Sequence, residues 1–127
     1  MEFNSQICTT IEQSERLLAL GLKKETADMH HYQYVEGGRW NIEAHPSIAG
    51  YTNRLVPAWS LHRLMEMCPL IPNPSRFLAI TSFKTVYVRM NDEMDVSYAG
   101  KGTYDNLINC IQWLIGEGYF NKEYLEE

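Results

Sequence analysis

Four groups of residues in this 127-residue chain have the types that do chemistry. The first is Gly100-Lys101-Gly102-Thr103, which follows a strand-like run ending at Ala99 and opens an amphipathic helix. Strand, glycine-rich turn and helix in that order cradle a phosphate in many nucleotide-binding proteins. A P-loop, however, ends in Gly-Lys-Ser/Thr, so that the lysine leads directly into the hydroxyl that reaches Mg²⁺. Here Gly102 separates Lys101 from Thr103, and the preceding strand reads as part of a hairpin rather than of a parallel sheet. Gly100 and Gly102 are expected to make a sharp turn, with Thr103 capping the helix. What remains is a weak anion site of Lys101, Gly102 and Thr103 at a helix N-terminus.

The second group is Asp28-Met29-His30-His31, with His45 and His62 elsewhere. Adjacent histidines on a strand point to opposite faces, so one ion cannot easily use both. A zinc site would need His30 or His31 to meet His45 and Cys68 in space, and no His-x-His or His-Glu-x-x-His spacing supports that. The third group is Cys8, Cys68 and Cys110, odd in number and far apart, which read as free thiols in a reducing compartment. Cys68 falls at a helix C-terminus, the wrong end for lowering a thiol pKa, and Cys110 lies beside an apolar stripe. The fourth, Asp92-Glu93-Asp95, reads as a solvated loop. These groups supply no catalytic set, no metal site and no cofactor.

The elements that must position such residues are legible by period. Thr9-Thr10-Ile11-Glu12 reads as a capping box with Thr9 at the N-cap, and Gly21 as the stop of that helix. Alternation from His31 to Val35 and from Arg39 to Glu43 predicts a hairpin about Gly37-Gly38. Residues 44–58, with Pro46, Gly50 and Pro57, read as a long irregular connection of the kind that often carries function. Ser60 is placed to cap a short helix ending before Pro69, with Trp59 stapled to Leu64. Residues 77–82, 84–90 and 94–98 read as strands, the last two as a hairpin. The closing helix runs from about Tyr104 to Glu117, with Gly118 as its stop.

The expected fold is therefore α+β: a single domain over 1–127, with a small, mainly antiparallel sheet and the N- and C-terminal helices packed on one face. The expected core is Ile11, Leu17, Leu18, Leu64, Ile80, Val86, Val88, Leu107, Ile111 and Leu114.

With 45% hydrophobic and 21% charged residues, the chain is of ordinary globular composition. No apolar run is long enough to cross a membrane, and the first residues lack the basic and apolar regions of a signal peptide, so a soluble cytoplasmic protein is expected. The net charge of −5 divides into −3 over residues 1–36, +4 over 37–91 and −6 over 92–127. The bases of the middle stretch are spaced singly, which gives a nucleic-acid patch weak support and leaves a weak nucleic-acid binder as the third functional reading.

Eight tyrosines and three tryptophans exceed what one small sheet face needs. Tyr, Trp and Arg concentrate in binding hot spots, so Tyr32, Tyr34, Tyr87 and Arg89 are expected on an interface. A homodimer through that face or through a sheet edge is one form this could take. The leading expectation is a non-enzymatic interaction module with a protein partner, using an aromatic sheet face or the 44–58 segment. The alternative is a small enzyme or ligand binder whose pocket joins His31, His45, Arg54 and Trp59.

Three stretches, "CTTIEQSERLLALGLKKETADM", "PAWSLHRLMEM" and "LINCIQWLIGEGYFNKEYL", together resemble a set of small uncharacterised proteins from gut Bacteroides-type bacteria, often associated with phage-like or mobile elements. The resemblance implies a cytoplasmic bacterial setting, and supplies no activity, cofactor or site residue.

Overall fold

The computed structural model describes residues 5–44, 54–72, 74–89 and 93–127. Its elements are α1 (Ile11–Ala19), a single 3-10 turn (Lys24–Thr26), β1 (Met29–Gln33), β2 (Trp40–Glu43), β3 (Arg54–Ala58), α2 (Leu61–Met67), β4 (Arg76–Ile80), β5 (Lys84–Arg89), β6 (Met94–Ala99), α3 (Thr103–Glu117) and a closing 3-10 turn (Lys122–Tyr124). The class is α+β. The strands make two antiparallel three-stranded sheets where the sequence suggested one, ordered β2-β1-β3 and β4-β5-β6. Two compact units divide the chain, one up to Arg63 with Glu127 and one of Leu64–Glu126.

In the first unit α1 packs beside β3. Its cap sits one residue later than expected. Thr10 accepts from the Gln13 N–H at 3.1 Å while the Gln13 side chain accepts from the Thr10 N–H at 3.0 Å. Thr9 cannot serve, because its hydroxyl is turned inward: it accepts the Trp59 N–H at 3.0 Å and shares a hydrogen bond with Ser14 Oγ at 2.8 Å. At the other end, the Leu22 N–H reaches the Leu17 carbonyl and the Gly21 N–H the Leu18 carbonyl, the paired bonds of a Schellman stop.

The predicted hairpin is present, with Gln33 opposite Trp40 and His31 opposite Ile42. Residues 54–58 of the expected irregular connection are instead strand β3, whose Val56 lies opposite His31. Pro57 argued against a strand there, but β3 is an edge strand, the place in a sheet where a proline is tolerated because one side of the strand makes no ladder bonds. Residues 45–53 of that connection, His45 among them, lie outside the described residues. Ser60 caps α2 as expected, accepting the Arg63 N–H at 3.1 Å. Its own N–H and hydroxyl both donate to Asp28, at 2.8 and 2.5 Å.

In the second unit α3 packs on β5 and β6. Leu107, Ile108, Cys110, Ile111 and Leu114 are fully buried along it. Gly118 adopts φ 80° and ends the helix, with the Tyr119 N–H reaching the Leu114 carbonyl at 2.9 Å. The other end differs from expectation. Gly102 occupies the N-cap with φ 94° and ψ 156°, and Thr103 is the first helical residue rather than the cap.

The sheet also turns its other face to α3. Tyr87, placed outward from the sequence as an interface residue, is fully buried; its ring centroid lies 5.6 Å from that of Trp113. Its hydroxyl donates to the Pro69 carbonyl at 2.8 Å. Alternation defines two faces without saying which is inward, and the larger ring with a satisfied hydroxyl took the helix side. Val86 is buried as well, whereas Val88, Ile80, Ile11 and Leu18 are only partly covered.

Between β5 and β6 the register steps: Tyr87 pairs with Val96 and Val88 with Met94, so Asp95 is the extra residue of a β-bulge. The bulge re-aims its carboxylate at two arginines, Arg76 at 2.8 Å and Arg89 at 3.0 Å. Arg89, the other expected interface residue of this hairpin, is thereby tied down, with Glu93 a further 3.6 Å partner. Arg76 also lies 4.9 Å from the Tyr119 ring centroid.

Two outcomes follow. Tyr87→Ala should cost roughly 3–5 kcal/mol in denaturant melts, and Val88→Ala only about 1 kcal/mol, since the two lie on opposite faces. If Val88→Ala costs more, the helix-facing side has been misassigned. The second concerns acid. The hydrogen bond from Arg76, aided by Arg89, holds the Asp95 carboxyl below its ordinary value. A lowered folded pKa gives stability that is present above the unfolded value of about 3.9 and is lost as pH falls through the folded value. Wild type should therefore lose more melting temperature than Asp95→Asn as pH is taken below about 4. Parallel acid limbs for the two chains would remove Asp95 from the acid response.

Candidate binding surface

β1 sends Met29, His31 and Gln33 to one face of the first sheet and His30 and Tyr32 to the other, with Tyr34 continuing just beyond the strand. His31 is on the inner face. It is buried, and its Nε2 lies 2.7 Å from the Thr9 carbonyl and 3.9 Å from Cys8 Sγ. A cysteine beside a histidine resembles a nucleophile with its base, but the geometry forbids that chemistry. A carbonyl only accepts, so Nε2 must carry its hydrogen and donate it to Thr9, which leaves no lone pair there for the thiol proton. Burial then pushes the Cys8 thiol up to about 11, with Asp28 adding to the effect.

Trp59 is likewise framework. It is fully buried, and its indole N–H donates to the Thr26 hydroxyl at 3.0 Å. Arg54 is on the surface, 3.7 Å from Glu15 and 5.5 Å from the Trp40 ring centroid. The structure therefore gives His31, Arg54 and Trp59 separate duties. His31 and Trp59 hold the interior, and Arg54 reaches Glu15 of α1 across the surface. The fourth residue of that expected pocket, His45, lies outside the described residues. Among the described residues no group of three or more His, Cys, Asp and Glu side chains is placed to hold a metal ion.

The expected anion site is built as a turn. Gly100 and Gly102 have φ of 84° and 94°, the left-handed region that glycine enters without strain. Lys101 is exposed beside them. Asp105, in the first turn of α3, already places a negative charge at the helix's positive end.

The other face of the first sheet is where expected residues meet. Tyr32 and Tyr34 stand edge to face with ring centroids 5.4 Å apart, Tyr32 buried and Tyr34 52% exposed. Leu55 lies opposite Tyr32 and is 38% exposed. Beside them is a pocket of about 510 Å³ lined by Lys24, Glu25, Ala27, His30, Leu55 and Pro57. Ala27, Leu55 and Pro57 make part of its lining apolar, and Lys24 and Glu25 add one charge of each sign. Such a surface recognises shape and apolar area first and fixes orientation with a few polar groups.

Sequence reasoning placed Tyr32 and Tyr34 on one face and did not anticipate the pocket. Its lining comes from the Lys24–Thr26 turn, β1 and β3, and β3 was not recognised as a strand. The signal available was period 2 in Arg54–Ala58, with Val56 and Ala58 buried on one side.

Among the described residues no helix is long and apolar enough to cross a membrane. In comparisons with protein-family models, curated proteins and solved structures, none matches this chain.

All three thiols should be inert in the native state, since burial pushes Cys68 and Cys110 up to about 12 as well. Iodoacetamide at neutral pH should label all three only after denaturation. Rapid labelling of Cys8 in the folded protein would restore the nucleophile reading.

Proposed function

We propose that the protein is a binding module rather than a catalyst, and that the Tyr32–Tyr34 face of its first sheet is the docking surface for a protein partner. The observation that carries this reading is the coincidence of the tyrosine pair, exposed Leu55 and the 510 Å³ pocket on one face. The exposed Tyr34 ring, braced edge to face by buried Tyr32, supplies contact area with little side-chain entropy to lose. The Cys8–His31 geometry supports it from the other side, because this pair, with the composition of a nucleophile and its base, is locked as framework. A reducing, cytoplasmic bacterial setting fits the three free cysteines and the resemblance to Bacteroides-type proteins.

The pocket favours a second reading, in which a small molecule with an apolar body and polar ends sits over Leu55 and Pro57. A nucleic-acid role has less support on this face, where Lys24 is accompanied by Glu25 and Glu43.

The test immobilises wild type and a Tyr34→Ser, Leu55→Ser double variant, with folding checked by circular dichroism, and compares what each retains from a bacterial lysate. Wild type should retain a partner that the double variant loses, while Phe83→Ser, in the second unit, keeps it. Equal retention by the double variant would sink the docking surface. A thermal-shift response to a metabolite that Leu55→Ser abolishes, without any captured protein, would put the second reading in its place.

A further inference from the structure

β6 is an edge of the second sheet, and edges present unpaired backbone groups that invite another strand. Which groups face outward follows from the ladder. The Gly100 N–H donates to the Phe83 carbonyl at 3.4 Å, so Phe83 and Gly100 are a hydrogen-bonded pair. Bonded and non-bonded pairs alternate between antiparallel strands, which makes Lys84–Ala99 and Val86–Ser97 non-bonded. The N–H and C=O of Ser97 and Ala99 therefore point away from β5, and both residues are exposed. Beside this edge, α3 and β6 border an open groove of about 480 Å³ that includes Tyr98, Trp113 and Gly116 in its lining. A Cβ built at Gly116 would meet no atom within 4 Å, so the groove has room above the helix.

We propose that two copies of the chain join β6 to β6 antiparallel, with Ser97 of each opposite Ala99 of the other and Tyr98 facing its own copy across a two-fold axis. This register satisfies the outward N–H and C=O of both residues in both copies. It makes Tyr98 a non-bonded pair, the position where facing side chains approach most closely. Each ring then lies at the mouth of the other copy's groove. Charge complements the pairing: exposed Glu93 precedes the strand and exposed Lys101 follows it, so the antiparallel arrangement brings each copy's lysine toward the other's glutamate, while Asp95 stays with Arg76 and Arg89. The bulge at Asp95 keeps the shared ladder short, and association should accordingly depend on concentration. The proposal is independent of the docking face on the first sheet.

Sedimentation velocity from micromolar to near-millimolar protein should show wild type passing from monomer to dimer. Ser97→Pro should remain monomeric with an unchanged circular dichroism spectrum, because the lost N–H takes no part in the β5 ladder. Should the proline disturb folding, Tyr98→Cys gives an independent readout. It should form a disulfide-linked dimer on mild oxidation, while Glu117→Cys should not. A wild type that stays monomeric throughout, a folded Ser97→Pro that still dimerises, or a Tyr98→Cys that fails to cross-link would each overturn the proposal.

Discussion

Thr9 and Trp59 exchange two hydrogen bonds with no surface of either residue in water, and the first unit is arranged around that exchange. The Thr9 N–H donates to the Trp59 carbonyl at 2.8 Å, and the Trp59 N–H returns to the Thr9 hydroxyl at 3.0 Å. From these two the hydrogen bonds run outward to the neighbouring polar groups. The Thr9 carbonyl takes the His31 hydrogen, the indole takes up the Thr26 hydroxyl, and that hydroxyl donates onward to the Lys23 carbonyl at 2.6 Å. Arg63 Nε then holds the Thr26 carbonyl at 2.7 Å. A buried donor left without its partner costs about 1–3 kcal/mol, so such a network is stable as a whole and brittle in its parts.

That constraint explains what was and was not legible in the sequence. Helices α1 and α3, the Gly37–Gly38 hairpin, the Ser60 cap and the glycine stops are local, and each was found within a residue or two. Thr9 and Thr10 look equivalent to a local rule. What separates them is Trp59, fifty positions away, which claims the first and leaves the second to cap. Pro57 misled for the same reason: a proline is a breaker until the sheet order shows it on an edge. The two sheets were read as one because pairing order is a long-range property that alternation does not carry.

The candidate surface follows the same division. Tyr32 and Tyr34 share a face by period alone, and the structure keeps them together. The face of β5 could not be chosen that way, and Tyr87 went inside, where its ring and hydroxyl are both used. His31 and Trp59 have the side chains of a site and are held instead by the interior of the first unit. Residue type alone therefore overstates the chemistry of His31 and Trp59, whose polar atoms are already held by the Thr9 carbonyl and the Thr26 hydroxyl.

Asp95 joins two properties that usually vary separately along a strand, its length and its charge. The residue is surplus to the ladder, so a deletion there would leave β5 and β6 free to pair without a step. The same deletion would remove the carboxylate on which Arg76 and Arg89 converge. Drift in this hairpin is thus coupled: a chain that loses the extra residue must also lose or re-partner its arginines. Both changes would have to arrive together for the second sheet to keep its shape.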